Sequence, residues 1–240
     1  MRDSAPGKTP IWKAIADTLR SDLAEGRYRP GDKLPTEALL AERFGVNRHT
    51  VRHSLSALVD EGLVRTRRGA GAFVAAIPTD YPIGKRVRFY DNLVAAGRAP
   101  EKRILHLTER AATEGEARAL GIEAGAPVCA FHGLSLADGQ PIAVFESLFP
   151  LSRLPHITAT LQQEHSVTAA LQEVGVTDYT RASTRLTAVR ATAAQALHLQ
   201  VNEGDPLLRS SGVNVDTQGV AVEYGRTWFA GDRVTLTLEG

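Results

Sequence analysis

Within positions 48–53 the chain carries Arg48, His49, Thr50, Arg52 and His53. Arginine forks bond guanine bidentately and threonine or histidine can assist, so a helix presenting these residues near its amino-terminal end can read base edges in a major groove. A second basic pair, Arg67 and Arg68, precedes Gly69-Ala70-Gly71. There the glycines allow close backbone approach to phosphate and the arginines supply charge. Farther on, Lys85, Arg86 and Arg88 stand just before a helix expected over Tyr90 to Ala96. Cations converging with the free N–H groups of a helix start favour a phosphate or phosphonate. The same run equally suits a basic patch facing DNA phosphates or a partner subunit, and the residues leave both open. Phe89, His132, Ser135, Glu146, Glu223, Tyr224 and Arg226 complete the candidate set for a small polar ligand, although carboxylates on strands are as often surface residues.

These residues need elements to hold them. Ile11, Ile15, Leu19 and Leu23 recur every four residues and predict a helix over Pro10 to Glu25. Thr36 is placed to cap a short helix through Phe44, Gly45 breaks it, and Asn47 is placed to cap a third, Arg48 to Glu61. In that third helix Val51, Leu55 and Leu58 face inward and the basic residues outward. Two short helices around a glycine turn make a helix-turn-helix. Leu63 to Arg68 and Ala72 to Val74 then read as a hairpin wing. Thr36 and Gly71 join Arg48, His49, Thr50, Arg52, His53, Arg67 and Arg68 as the expected DNA-contacting residues.

The rest of the chain contains a repeat. Thr113, Leu120, Gly125 and Pro127 recur 79 residues later as Thr192, Leu199, Gly204 and Pro206. Each copy reads as a capped helix, a Gly-x-Pro turn, a strand, a polar turn and a return strand, over Pro141 to Phe149 in one copy and Val220 to Phe229 in the other. Strands over Lys102 to Leu107, Tyr179 to Val189 and Val234 to Leu238, with a helix from Ser166 to Val174, complete an α+β domain whose symmetry places a cleft between the copies. The expected division is 1–76 for DNA binding, a linker over 77–90 and 91–240 for ligand binding, the linker resting on the Pro, Gly and low charge of 77–84.

Charge follows the same division. Residues 1–76 carry 13 Lys and Arg against 9 Asp and Glu, net +4, whereas the remainder carries 15 against 18, net −3. A basic first third suits a polyanion-binding module joined to a domain with another task. Apolar residues at 43% and charged residues at 23% exclude a disordered tail or a fibre. No apolar run suits a membrane span or signal peptide, so a cytoplasmic protein is expected. Cys129 is the sole cysteine, and His106, His156, His165 and His198 share no ligand spacing, so neither a metal nor a cofactor is expected. Gly-x-Ser-x-Gly and phosphate-cradling loop motifs are absent from the sequence, which argues against an enzyme.

Leu34-Pro35-Thr36-Glu37, Asn47-Arg48-His49-Thr50-Val51-Arg52 and Arg67-Arg68-Gly69-Ala70-Gly71-Ala72-Phe73-Val74, in that order, resemble the winged helix-turn-helix of the GntR family of bacterial regulators. Ala72 departs from the threonine common there, which removes a hydroxyl from the wing. The second part resembles the UTRA ligand-binding domain of the HutC branch, which has the chorismate-lyase fold. Asp80-Tyr81-Pro82, Val87-Arg88-Phe89 with Asn92-Leu93, and Ala221-Val222-Glu223-Tyr224 resemble the subgroup that regulates phosphonate uptake and carbon–phosphorus bond cleavage. The resemblance implies a homodimeric repressor reading an inverted repeat in double-stranded operator DNA and released by a small anionic effector, a phosphonate or phosphate ester. Sugar phosphates or small carboxylates such as urocanate are the alternative effectors, and a chorismate-lyase-like enzyme is a remote one. Phosphorylated-sugar sensors of the branch often carry two arginines on the first inner strand of the sheet. Gly133 and Ser135, beside His132, stand at the equivalent positions, which either argues against a sugar-phosphate effector or moves the expected burden of charge to Arg86, Arg88 and Arg226.

Overall fold

The computed structural model describes residues 10–67, 69, 71–75, 78–84, 86, 89–164 and 166–238, with Arg67 described in its backbone. The chain divides into two units, Met1–Ile77 and Pro78–Gly240. In the first, helices α1 (Ile11–Ala24), α2 (Glu37–Phe44) and α3 (Arg48–Asp60) are followed by the antiparallel hairpin β1 (Val64–Arg67) and β2 (Gly71–Val74). The Thr36 hydroxyl accepts the Leu39 amide at 3.3 Å and starts α2, and Gly45, at φ +63°, ends it in the left-handed region where a side chain is disfavoured. Ile15, Leu19, Leu40, Val51, Leu55 and Leu58 are buried together. Ile11 and Leu39 instead lie open, at 64% and 55% exposure, one at the first residue of α1 and the other on the outer side of α2. Buried Asp22 binds Arg27 at 2.9 Å and Arg43 at 2.7 Å, which ties α1 to α2.

The second unit runs β3 (Thr79–Pro82), α4 (Phe89–Ala95), β4 (Pro100–Ala111), α5 (Glu114–Leu120), β5 (Pro127–Ala137), β6 (Gln140–Pro150), α6 (Ile157–Gln163), α7 (Val167–Glu173), β7 (Tyr179–Arg190), α8 (Ala193–Leu199), β8 (Pro206–Asp216), β9 (Ala221–Ala230) and β10 (Val234–Thr237). Among the described residues an antiparallel sheet has the order β4-β5-β6-β9-β8-β7. The repeat is therefore structural: β4-α5-β5-β6 and β7-α8-β8-β9 meet at β6 and β9, with Glu146 opposite Arg226 near the centre of symmetry. Thr113 and Thr192 close reciprocal capping boxes with Glu116 and Gln195, so equivalent helices start on equivalent chemistry. Each helix crosses to the other repeat, α5 onto β9 and α8 onto β6. The opposite face of the sheet is covered by α6 and α7 through Phe131, Phe149, Leu161 and Leu171, and by β3 and α4 through Tyr81, Leu93 and Phe229.

The segment expected as a linker over 77–90 differs in part. Thr79–Pro82 is a strand paired in parallel with β10, and buried Tyr81 packs against Phe229, with ring centroids 5.3 Å apart. Two prolines and a glycine look like a connector locally, but β10, about 150 residues downstream, supplies a partner that no local pattern announces. Helix α6 has no counterpart among the expected elements, and β4 extends to Pro100 and Ala111, beyond the expected 102–107.

Candidate functional site

Asn47 starts α3, expected as the recognition helix: its Oδ1 accepts the Thr50 amide at 2.8 Å and the Thr50 hydroxyl at 3.0 Å. Arg48, His49, Arg52 and His53 are exposed on α3. Arg52 is already engaged, donating through Nε and Nη2 to the two Glu37 oxygens at 3.0 and 2.7 Å. That fork, with the nearby charge of Arg48, holds the Glu37 carboxyl below its ordinary range. The His53 ring stacks on Trp12 at 4.2 Å between centroids, which joins it to the packing of α1 on α3. Thr36, Glu37 and Arg52 line one groove with Lys33 and Gly71, between α2, α3 and the hairpin. Gly71 has φ +107°, and a side chain there would press on the Lys33 stem. Arg67 pairs through its backbone with Gly71 in the hairpin; Arg68 lies outside the described residues.

In the second unit a cavity of about 400 Å³ opens between the sheet and the β3, α4 and α7 segments. Three of the expected ligand residues line it, Phe89, Ser135 and Glu223. Four others do not. Side chains alternate across a sheet, and His132, Glu146, Tyr224 and Arg226 fall on the α5 side, opposite the cavity face of Ser135, Ser147 and Glu223. There they form an ionic cluster. Glu116 accepts two bonds from Arg110, at 2.7 and 2.9 Å, and one from Arg226 at 2.9 Å. Glu146 meets Arg226 and also Arg110, the latter at 3.3 Å, with His132 at 3.5 Å. The Arg110 fork holds the Glu116 carboxyl at about 2, and burial lowers the His132 imidazole below its ordinary value. Tyr224 lies beneath the Arg226 guanidinium and packs beside α5. Arg86 is exposed and locked bidentately to Asp178 at 2.6 and 2.7 Å; Arg88 lies outside the described residues. Charge inside the cavity therefore comes from elsewhere than Arg86 and Arg226.

Among the described residues it comes from Lys102 and Arg181. Lys102 on β4 stands opposite Ser135 in register, with its ammonium 5.1 Å from the ring centroids of both Phe89 and Phe145. Burial lowers that ammonium to about 8, against an upward pull from Glu223. Among the described residues no carboxylate lies within ion-pair distance of it and no acceptor bonds it. Gly133 leaves the space that the Phe145 ring occupies. On the other repeat Arg181 stands opposite Asn214 and donates to its Oδ1 at 2.7 Å; Asn214 donates to Glu223 at 2.6 Å, and Ser147 donates to the other Glu223 oxygen at 2.6 Å. Gly212 makes room for the Arg181 side chain. Sequence reasoning missed Lys102, Arg181, Asn214 and Ser147, although the repeat carried a signal: Lys102 and Arg181 are 79 residues apart, as are Ser135 and Asn214.

A winged helix-turn-helix followed by a two-repeat sheet with a charged cavity matches two family descriptions: bacterial regulatory proteins of the gntR family over residues 12–74, and the UTRA domain over 95–235. The chain belongs to the GntR family. The regulator is 37% identical to the HTH-type transcriptional regulator RB1450 of Rhizobium meliloti strain 1021 over 95% of this chain and 94% of the relative. It is 34% identical to the probable transcriptional regulator PhnF of Escherichia coli K12, with the same coverage. The crystal structure of PhnF from Mycobacterium smegmatis superposes with a TM-score of 0.64 at 28% identity, covering 94% of this chain and 98% of that one. The chain is thus a DNA-binding transcriptional regulator with an effector domain of the HutC type, and not an enzyme. No helix among the described residues is long and apolar enough to cross a membrane.

Proposed function

We propose that this regulator is a homodimeric repressor of phosphonate-uptake and carbon–phosphorus-cleavage genes, released by a small phosphonate or phosphate-like anion seated on Lys102. The observation that carries the reading is the Lys102 ammonium, set against two aromatic rings and facing a cavity, with no carboxylate within ion-pair distance among the described residues. Lys102 is half-buried and its ammonium is partly desolvated against the two rings, a cost that an anionic ligand offsets when it binds. Ser135 opposite, and Ser166, Thr168 and Thr227 around the cavity, offer hydroxyl donors to phosphonate oxygens. Two recognition helices would read half-sites about one helical turn apart, and the effector would favour a dimer state that no longer fits them. The same hydroxyls favour a sugar phosphate as the second reading.

The test is a thermal-shift panel of inorganic phosphate, methyl- and 2-aminoethylphosphonate, glucosamine-6-phosphate and urocanate, followed by gel shifts on the regulator's own promoter. Stabilisation by phosphonates, with release of DNA at the same concentrations, is expected. A response to the sugar phosphate or urocanate alone keeps a repressor and retires the phosphonate. Arg48→Ala and Arg52→Ala are each expected to remove roughly 1–3 kcal/mol of specific DNA binding; unchanged affinity would remove α3 from the groove.

A further inference from the structure

The cavity has two polar ends that differ in their charged groups, although it is built from two copies of one unit. Lys102–Ser135 in the first repeat is the counterpart of Arg181–Asn214 in the second, by register and by the 79-residue offset. The copies differ in what their cation meets. Arg181 is held by Asn214, and Asn214 by Glu223. Among the described residues Lys102 is held by ring faces alone. On the return strands Phe149 and Phe229 correspond, which makes Ala143 the counterpart of Glu223, so the carboxylate belongs to one repeat alone.

Glu223 is buried, at 7% exposure, and lines the cavity. It accepts two bonds from neutral donors, Ser147 and Asn214, and among the described residues no lysine or arginine stands within 4.0 Å of it. Neutral donors orient a carboxylate without cancelling its charge, so the group remains an attractive site for a cation. Lys102 and Glu223 lie close enough to influence each other but too far apart to pair directly. A pure dianion on Lys102 would face Asp91 on the cavity wall and the Glu223 carboxylate, which Arg181 reaches through Asn214 and not by a direct ion pair.

We propose that the effector is a short zwitterion, with its phosphonate or phosphate on Lys102 and Ser135 and a primary ammonium on Glu223. This rests on the anionic-effector reading above and narrows it to ligands carrying both charges on one small skeleton. Glu223 thereby becomes the specificity-determining residue, and Lys102 the affinity-determining one.

The test is calorimetric titration of the full chain with 2-aminoethylphosphonate and with ethylphosphonate, which share a skeleton and differ by the amine. The amine-bearing ligand is expected to bind at least tenfold more tightly. Glu223→Gln should bring the two affinities together by weakening only the amine-bearing one, and Lys102→Met should abolish both. Equal affinities for the pair in the unmodified protein overturn the zwitterion and leave the anionic effector standing. Binding of neither phosphonate overturns the phosphonate effector and the zwitterion with it. Since the first comparison uses the natural chain, it decides between these outcomes even where a variant fails to fold.

Discussion

Lys102 carries a desolvation cost that an effector can remove. Its ammonium lies near 8 in the folded chain against about 10.4 for a free lysine. Between those values the unfolded chain binds more protons, so this residue makes the free protein gain stability as pH rises through the window. Effector affinity has the opposite trend: the anion needs the ammonium, so binding should weaken as pH climbs above 8, with Glu223, Arg181 and Asp91 the other charged groups lining the cavity among the described residues. Calorimetry from about pH 7 to about 9.5 checks this, and a flat profile would remove Lys102 from the contact. Lys102→Met should melt higher than the natural chain near neutral pH without ligand, because the desolvation of the ammonium is removed, while losing ligand-induced stabilisation. In the DNA-binding unit the Arg52–Glu37 fork is exposed, at 67% and 35% of the side chains. Such an exposed pair contributes little, so Arg52 can exchange Glu37 for a base edge. Glu37→Gln should therefore raise non-specific DNA affinity and narrow the gap to operator affinity, read as competition by random DNA at fixed salt.

At the scale of elements, the sheet depends on where side chains are missing. A Cβ on Gly212 would overlap the Ser183 carbonyl and the Arg181 side chain. Gly212→Ala is expected to destabilise the effector unit by about 1–3 kcal/mol in denaturant unfolding and to loosen the Arg181–Asn214–Glu223 chain. An unchanged midpoint would mean that β7 shifts freely. Strand β3 is the other sensitive element, because its Tyr81 forms both core and cavity wall. A fragment of residues 78–240 should fold and bind effector, whereas 91–240, starting where the sequence suggested a domain boundary, should lose both β3 pairing and the wall. Equal melting temperatures for the two fragments would reduce β3 to an accessory strand. The helix boundaries were legible because their signals are local: Thr36, Asn47, Thr113 and Thr192 act within three residues of themselves. β3 was not, since its partner β10 is distant in the chain and two prolines mimic a connector.

For the molecule as a whole, DNA reading and effector sensing are assigned to different units, so each should fail separately. Lys102→Met should hold operator DNA with normal affinity and salt dependence and refuse to release it with effector. Loss of operator binding in that variant would contradict the division of labour. The sequence by itself determined the three amino-terminal helices with the basic face of α3, the hairpin after them and the duplicated α+β unit, because capping, glycine turns and apolar periodicity act over a few residues and a repeat is visible as spacing. It also placed Phe89, Ser135 and Glu223 in the candidate site. Which face of each strand meets the cavity was decided by tertiary structure alone. A shift of one residue turns a side chain to the other face. His132 and Glu146 therefore joined an ionic cluster with Arg226 behind the sheet, while Lys102, one strand away from Ser135 and 33 positions earlier, became the cavity's cation without a carboxylate in reach among the described residues.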